Sequence, residues 1–309
     1  MRKGLILVLL LALATPTTSA TSATSVTPTT PTASVTSITS TTSITSTTSA
    51  TLPRAASLTL CADQYLLGLA APEQIVAVSA AAADPNQSLF AAEAAHHPVH
   101  HGSSEELIAL RAEVVLTDRW MPLQTAARLD RFGVRMISIP LPNTWEEIAD
   151  TTRTIATALG RSEQGEARVA EMRAQLEALH RPTDHRHTLP PLAAYFLPDG
   201  GSAGAGTFID TVLQAAGVRN LATVVGLQGW GSFNLEQLAG IQLDLVVLGF
   251  FDQGGDSRRM AFAHHPVFRH LLAGRPVIAV PDRYWMCSGW FLAKASAYIA
   301  ERLSAESSP

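Results

Sequence analysis

The chain has 309 residues, a formal net charge of −4 at pH 7, and 47% hydrophobic against 16% charged residues. That length and apolar content suffice for one large or two ordinary packed domains. The lack of any basic block argues against nucleic acid as a partner, since neutralising phosphates needs clustered Lys and Arg. Two cysteines, Cys61 and Cys287, are too few to staple a scaffold of this size, so stability must come from apolar cores. Their spacing alone does not decide whether they bridge.

In chain order, residues 1–20 have the layout of a secretory signal. Arg2 and Lys3 precede an apolar run over 5–14, and Thr18, Ser19 and Ala20 follow. The run is about half of the roughly 20 residues a membrane-spanning helix needs, so a cleaved signal and a periplasmic product are expected. Residues 21–53 are almost wholly Ser, Thr, Ala and Pro, and TSITST at 36–41 repeats at 42–47. Such a tract buries too little apolar surface to offset its ordering entropy and reads as a disordered linker.

From residue 54, β-rich runs at 56–60, 75–79, 114–117, 135–139, 192–197, 245–250 and 277–280 alternate with helical stretches. The latter fall at 62–70, 104–111, 123–132, 207–216, 267–273 and 289–303. This alternation predicts βα units and mostly parallel sheets. The middle breaks the rhythm. Thr144 to Glu147 reads as a capping box opening a helix to 159, Gly160 interrupts, and a second helix runs from Ser162 to His180. The expected fold class is therefore α/β, with two Rossmann-like lobes of mostly parallel sheet joined by a long connecting α-helix. The expected divisions are an N-terminal lobe over 54–160, the connecting helix and linker over 161–187, and a C-terminal lobe over 188–309. A brief internal echo falls once in each lobe: Glu106 to Ala109 leads to Glu113 to Leu116, and Glu236 to Ala239 leads to Asp244 to Leu248.

Several groups carry potential chemistry. His96-His-Pro-Val-His-His101 is the densest set of metal-ligating side chains, with His100 and His101 the foremost metal candidates and no firm ligand set. Cys61 sits where the first strand turns into the first helix, a place that favours a thiolate. Gly200 to Gly206 resembles a phosphate cradle, but no Lys follows, so it is not a Walker A loop; its glycines suit close approach of backbone to a ligand. Tyr284-Trp-Met-Cys287 follows the last strand, where aromatic rings can stack on a flat macrocycle.

Taken together, these segments resemble the periplasmic substrate-binding proteins of ABC importers for vitamin B12 and ferric siderophores, the type with two lobes and a rigid connecting helix. The likeness begins at Ala56 to Tyr65 (ASLTLCADQY), continues through 71–79 and 101–108, and covers 204–209, 215–221 and Asp282 to Cys287 (DRYWMC). It implies a ligand cleft between the lobes, formed by loops after strand ends at 60–63, 79–84, 100–102, 119–121, 197–206, 229–233, 250–254 and 284–288. The ligand-binding residues it implies are Cys61, Asp63, His100, His101, Trp120, Gly204, Gly206, Trp230, Tyr284, Trp285 and Cys287. Glu106 and Glu236 stand where the family carries one acid per lobe to meet arginines of the permease. The implied function is capture of a ferric siderophore, haem or cobalamin and delivery to an inner-membrane ABC permease dimer. The binding protein is then a monomer with no catalytic residues, no bound cofactor and a small-molecule chelate as cargo.

Two other readings follow from the residues themselves. A metal-ion binding protein would use the His96 to His101 cluster, and an exported hydrolase would use Cys61 as nucleophile.

Overall fold

Five short apolar runs in the first part of the chain lie side by side. They are β1 (Ala55–Ser57), β2 (Ile75–Ser79), β3 (Val99–His100), β4 (Val114–Asp118) and β5 (Arg135–Ile139), all parallel, in the order β3-β2-β1-β4-β5. β1, β2 and β4 are buried on both faces, which is why they read as continuous Ala, Val and Ile rather than alternating. The helices of this lobe are α1 (Leu60–Leu69), α2 (Ala91–Ala94), α3 (Ser104–Ala109) and α4 (Leu123–Arg131). Thr59 caps α1, its hydroxyl accepting from the Ala62 N–H, so the helix starts at Leu60 and β1 ends at Ser57, earlier than expected. The structure, a computed structural model, describes residues 51–119, 123–180, 189–233, 238, 241–252, 262 and 265–306. The expected signal, nearly all of the Ser/Thr tract, Trp120 and Glu236 lie outside the described residues.

The helical middle forms as its caps dictate. Thr144 and Glu147 make the reciprocal capping box that opens α5 (Trp145–Ala158), and α6 (Ser162–Leu179) follows after Gly160, whose φ of 70° ends the first helix. The second sheet is again parallel. It comprises β6 (Leu192–Phe196), β8 (Arg219–Asn220), β10 (Leu245–Leu248) and β11 (Val277–Ala279), in the order β11-β10-β6-β8. An antiparallel ribbon of β7 (Gly201–Ala203) and β9 (Trp230–Ser232) stands beyond the end of β6. Around them lie α7 (Phe208–Ala215), α8 (Leu221–Val224), α9 (Pro266–Leu272) and α10 (Ala293–Glu306). The chain is α/β, with two Rossmann-like lobes of mostly parallel sheet joined by the long helix α6.

The two lobes repeat one hydrogen-bonding device. Glu113 accepts from the Arg54 N–H just before β1 at 2.8 Å, and Asp244 accepts from the Leu192 N–H at the start of β6 at 2.6 Å. Each acid clamps its own strand to the lobe's founding strand, so Glu113 and Asp244 are equivalent positions. Counting back from them matches the preceding segments of sequence. Glu105 is eight residues before Glu113 and two before buried Leu107, as Glu236 is eight before Asp244 and two before buried Leu238. This count matches Glu236 with Glu105, whereas the echo read from the sequence matches it with Glu106.

The lobes share a core. Tyr65, Leu66 and Leu69 of α1 pack in the same buried cluster as Tyr195, Ile209, Trp285, Trp290, Phe291 and Ile299 from the second half. Tyr65 meets Trp290 edge-on at 5.2 Å between centroids. Its hydroxyl donates to the Ser288 carbonyl at 3.1 Å, and Ser288 Oγ donates to the Pro142 carbonyl. Burial pushes the Tyr65 phenol well above the usual range, so it stays a neutral donor. Asn143 completes the join, its side chain accepting from the Phe208 N–H at 3.2 Å and its carbonyl from Thr211 Oγ1 at 2.6 Å. Across this seam Cys61 and Cys287 form a disulfide with Cα atoms 5.3 Å apart, which answers the question their spacing left open. The bond encloses 226 residues of sequence separation, so breaking it frees a long loop in the unfolded chain. We expect Cys61→Ala with Cys287→Ala, or reduction of the wild type, to cost about 2–5 kcal/mol. Thermal unfolding with and without reductant should read this as a fall in Tm of roughly 5–15 °C.

Candidate functional site

Open α/β sheets bind ligands beyond the carboxyl ends of their strands, where the strand order reverses. In the first sheet that point lies between β1 and β4, and in the second between β6 and β10. Cys61 follows β1, and Cys287 follows β11, so their bond brings the carboxyl ends of both sheets to the same place. The crevice between them is the candidate site.

Several expected ligand contacts are instead parts of its frame. Asp63 is fully buried, and its carboxylate accepts from Ser57 Oγ, from the Ser79 N–H at 2.9 Å and from Ser79 Oγ at 2.5 Å. It thus ties the ends of β1 and β2 to α1 and has no oxygen facing the crevice. Burial raises its pKa against the pull of those hydrogen bonds. His100 is likewise spent. Its Nδ1 accepts from the Gly102 N–H at 2.9 Å, so the ring proton is on Nε2, which donates to the Ser57 carbonyl. No lone pair remains for a metal. His101 is 91% exposed and leans on Glu106, 3.4 Å from Nδ1 to Oε1. Glu106 itself accepts from the His101 N–H at 2.8 Å, which turns it back to hold the 100–102 loop. Glu105, beside it, is 64% exposed and pairs with Arg128 at the surface. Among the described residues, no group of three or more His, Cys, Asp and Glu could hold a metal ion. Cys61 and Cys287 carry no thiol, which removes the nucleophile of the hydrolase reading.

The second lobe supplies the aromatic side. Trp230, on β9, is 46% exposed and is braced edge-on by Phe208 at 5.7 Å. Its ribbon requires Gly204, where a Cβ would come within 2.1 Å of the Leu227 carbonyl oxygen, so that glycine serves the backbone and not a ligand. Gly206, at φ 78° with open space beside it, turns the chain into α7. Tyr284 is half-buried, 5.7 Å from the Tyr298 ring, with the Arg283 guanidinium 5.2 Å over its face. Trp285, expected as a ligand contact, is fully enclosed. Phe250, two residues past β10, covers it, their rings stacked at 6.0 Å and 18°. The sequence reading placed 250–254 in the cleft but singled out no residue there. The helical-repeat register was the signal for Glu105; nothing in the sequence marked Phe250 above Phe251.

Two doubly wound lobes, bonded at their strand ends, with a rigid helix between them and an aromatic wall on one side, define a two-lobed ligand-binding protein. The periplasmic binding protein model matches residues 56–276, and the chain belongs to that family. A cobalamin-binding protein of Halobacterium salinarum is 27% identical over 146 residues, 47% of this chain and 40% of the relative's length. Among solved structures, the periplasmic haem-binding protein BhuT, in complex with two haems, aligns with TM-score 0.65 and 21% identity, over 82% of this chain and 98% of that one. The periplasmic haem-binding protein HutB of Vibrio cholerae aligns with TM-score 0.66 and 18% identity, over 81% and 98%. At these identities the structural likeness shows the shared fold.

The frame role of Asp63 has a measurable consequence. Asp63→Ala leaves two serine hydroxyls and one N–H without their acceptor, and should cost roughly 2–4 kcal/mol. Chemical denaturation should show the loss, while ligand affinity of the folded fraction stays at the wild-type value.

Proposed function

We propose that the protein captures a metal chelate, namely haem, a ferric siderophore or a corrinoid, in the crevice between its lobes and delivers it to an inner-membrane ABC permease. The observation that carries this reading is the family match running through both sheets, together with two strand-order reversals brought face to face by the Cys61–Cys287 bond. Enclosure between pre-formed walls supplies contact area with little ordering cost; Trp230 offers exposed aromatic surface and Tyr284 a half-buried ring. No covalent chemistry or resident cofactor is needed. In this reading residues 1–20 are a cleaved signal that exports a monomer to the periplasm, and 21–53 are a Ser/Thr/Pro-rich linker. The lobes are then 54–160 and 188–309, with 161–187 as connector.

For the permease contact, Glu105 and Glu236 are the matched pair, one on each lobe, and Glu106 is not used. Rim carboxylates of this kind steer encounter and set register more than they add affinity.

Titrating the purified protein with haem, cyanocobalamin, ferric siderophores and bare divalent metals, read by tryptophan quenching, should give saturation below about 1 μM for one chelate and none for bare metal. Quenching by bare metal alone would refute capture of a chelate. Glu105→Lys with Glu236→Lys should weaken association with the permease at least tenfold in a pull-down titration at low salt. Ligand affinity should be unchanged, and Glu106→Gln should leave permease association near wild type.

A further inference from the structure

Phe250 stands at the strand-order reversal of the second sheet, between the ends of β6 and β10. Its φ is 64°, a conformation that a bulky side chain rarely adopts. Residues held this way persist where the surroundings over-determine them, and they gather at ligand clamps. Here the surroundings are two buried rings. Trp285 lies parallel beneath Phe250 at 6.0 Å, and Tyr195 meets Trp285 edge-on at 5.4 Å. Gly249 makes this stack possible, because a Cβ there would come within 2.5 Å of the Trp285 ring and 2.8 Å of the Tyr195 hydroxyl. Among the described residues, neither the Trp285 indole N–H nor the Tyr195 hydroxyl has a hydrogen-bond partner. Leaving buried polar atoms unpaired is costly, so the site keeps these side chains for their ring faces. Trp285 and Tyr195 are both fully enclosed, while Phe250 is half-buried, so of the three rings it alone keeps accessible surface.

We propose that Phe250, backed by Trp285, is a stacking platform that selects a planar, π-faced tetrapyrrole over chelates whose faces are blocked. A corrinoid carries axial groups on both faces, and an octahedral ferric siderophore presents no flat face larger than one chelating ring. A planar macrocycle alone among them offers an extended, unblocked π face to the ring. The inference rests on the chelate-capture reading and narrows its cargo. Phe250 acts through its face and takes no part in metal ligation.

The test uses the full chain as wild type, Phe250→Leu and Phe250→Gly. Each is titrated with metal-free protoporphyrin IX, iron protoporphyrin IX, cyanocobalamin and ferric siderophores by tryptophan quenching, with Tm measured in parallel. Removing an aromatic stacking partner commonly costs tenfold or more in affinity. Phe250→Gly suits the left-handed backbone, which offsets part of the packing lost over Trp285, and should melt within several degrees of wild type, yet lose at least tenfold for both porphyrins. Phe250→Leu should keep the packing and lose several-fold. Loss for the metal-free porphyrin separates stacking from iron ligation. Unchanged porphyrin affinity in both variants overturns the platform, as does an equal loss of Tm and of every ligand, which would make Phe250 a core residue. A wild type that binds only cyanocobalamin or a siderophore overturns the platform and leaves chelate capture standing. A wild type that binds no chelate overturns both.

Discussion

The rest of the structure depends on the join between the lobes. Two sheets that share one core are also held by the Cys61–Cys287 bond, by Tyr65 and Ser288 bridging to backbone carbonyls, and by Asn143 receiving two donors from the second lobe. All of these contacts lie near the carboxyl ends of the strands, which is where an α/β sheet offers its ligand site. A covalent tie placed there limits how far the walls can part. Together with α6, it makes a crevice that is largely formed before the ligand arrives, so little binding energy is spent on closure.

The first lobe contributes mainly order to this crevice. Asp63 and His100, both polar and both buried, spend their hydrogen-bonding capacity on the ends of β1 and β2 and on the 100–102 loop. Buried polar groups that are fully satisfied make a frame rigid and specific, and the same satisfaction leaves nothing for a ligand to take. The second lobe is built differently. Its rings stack in depth, with Tyr195 and Trp285 inside and Phe250 above them, while Trp230 stands on a separate ribbon braced by Phe208. The first lobe thus brings self-satisfied polar groups to the strand ends, and the second brings aromatic rings.

The repetition between the lobes also sets the outer surface. Glu113 and Asp244 each clamp a strand start, and each clamp is preceded by a buried leucine with an acid two residues before it in the sequence. Of the neighbours Glu105 and Glu106, Glu106 is engaged by the His101 N–H and Glu105 is the more exposed, beside Arg128. A one-residue change of register on a helix moves a side chain about 100° around the axis, enough to exchange a surface role for a structural one.

The sequence by itself determined the class of fold. Buried parallel strands must be short apolar runs, and the capping box at Thr144 and the break at Gly160 mark the helical middle unaided. It missed β3, β7, β8 and β9, because strands of two or three residues are too short to show any periodicity. It singled out the right neighbourhoods around the crevice but not which side chains face it. Whether Asp63, His100 and Trp285 meet a ligand or serve the frame depends on partners distant in the chain, such as Ser79, Ser57 and Phe250. Pairing of Cys61 with Cys287 likewise needed their Cα atoms to meet across 226 residues, a distance only the packed lobes could close. Local chemistry is written in local sequence, whereas exposure, hydrogen-bond satisfaction and disulfide geometry belong to the tertiary structure, because each is a relation between residues that only folding brings together.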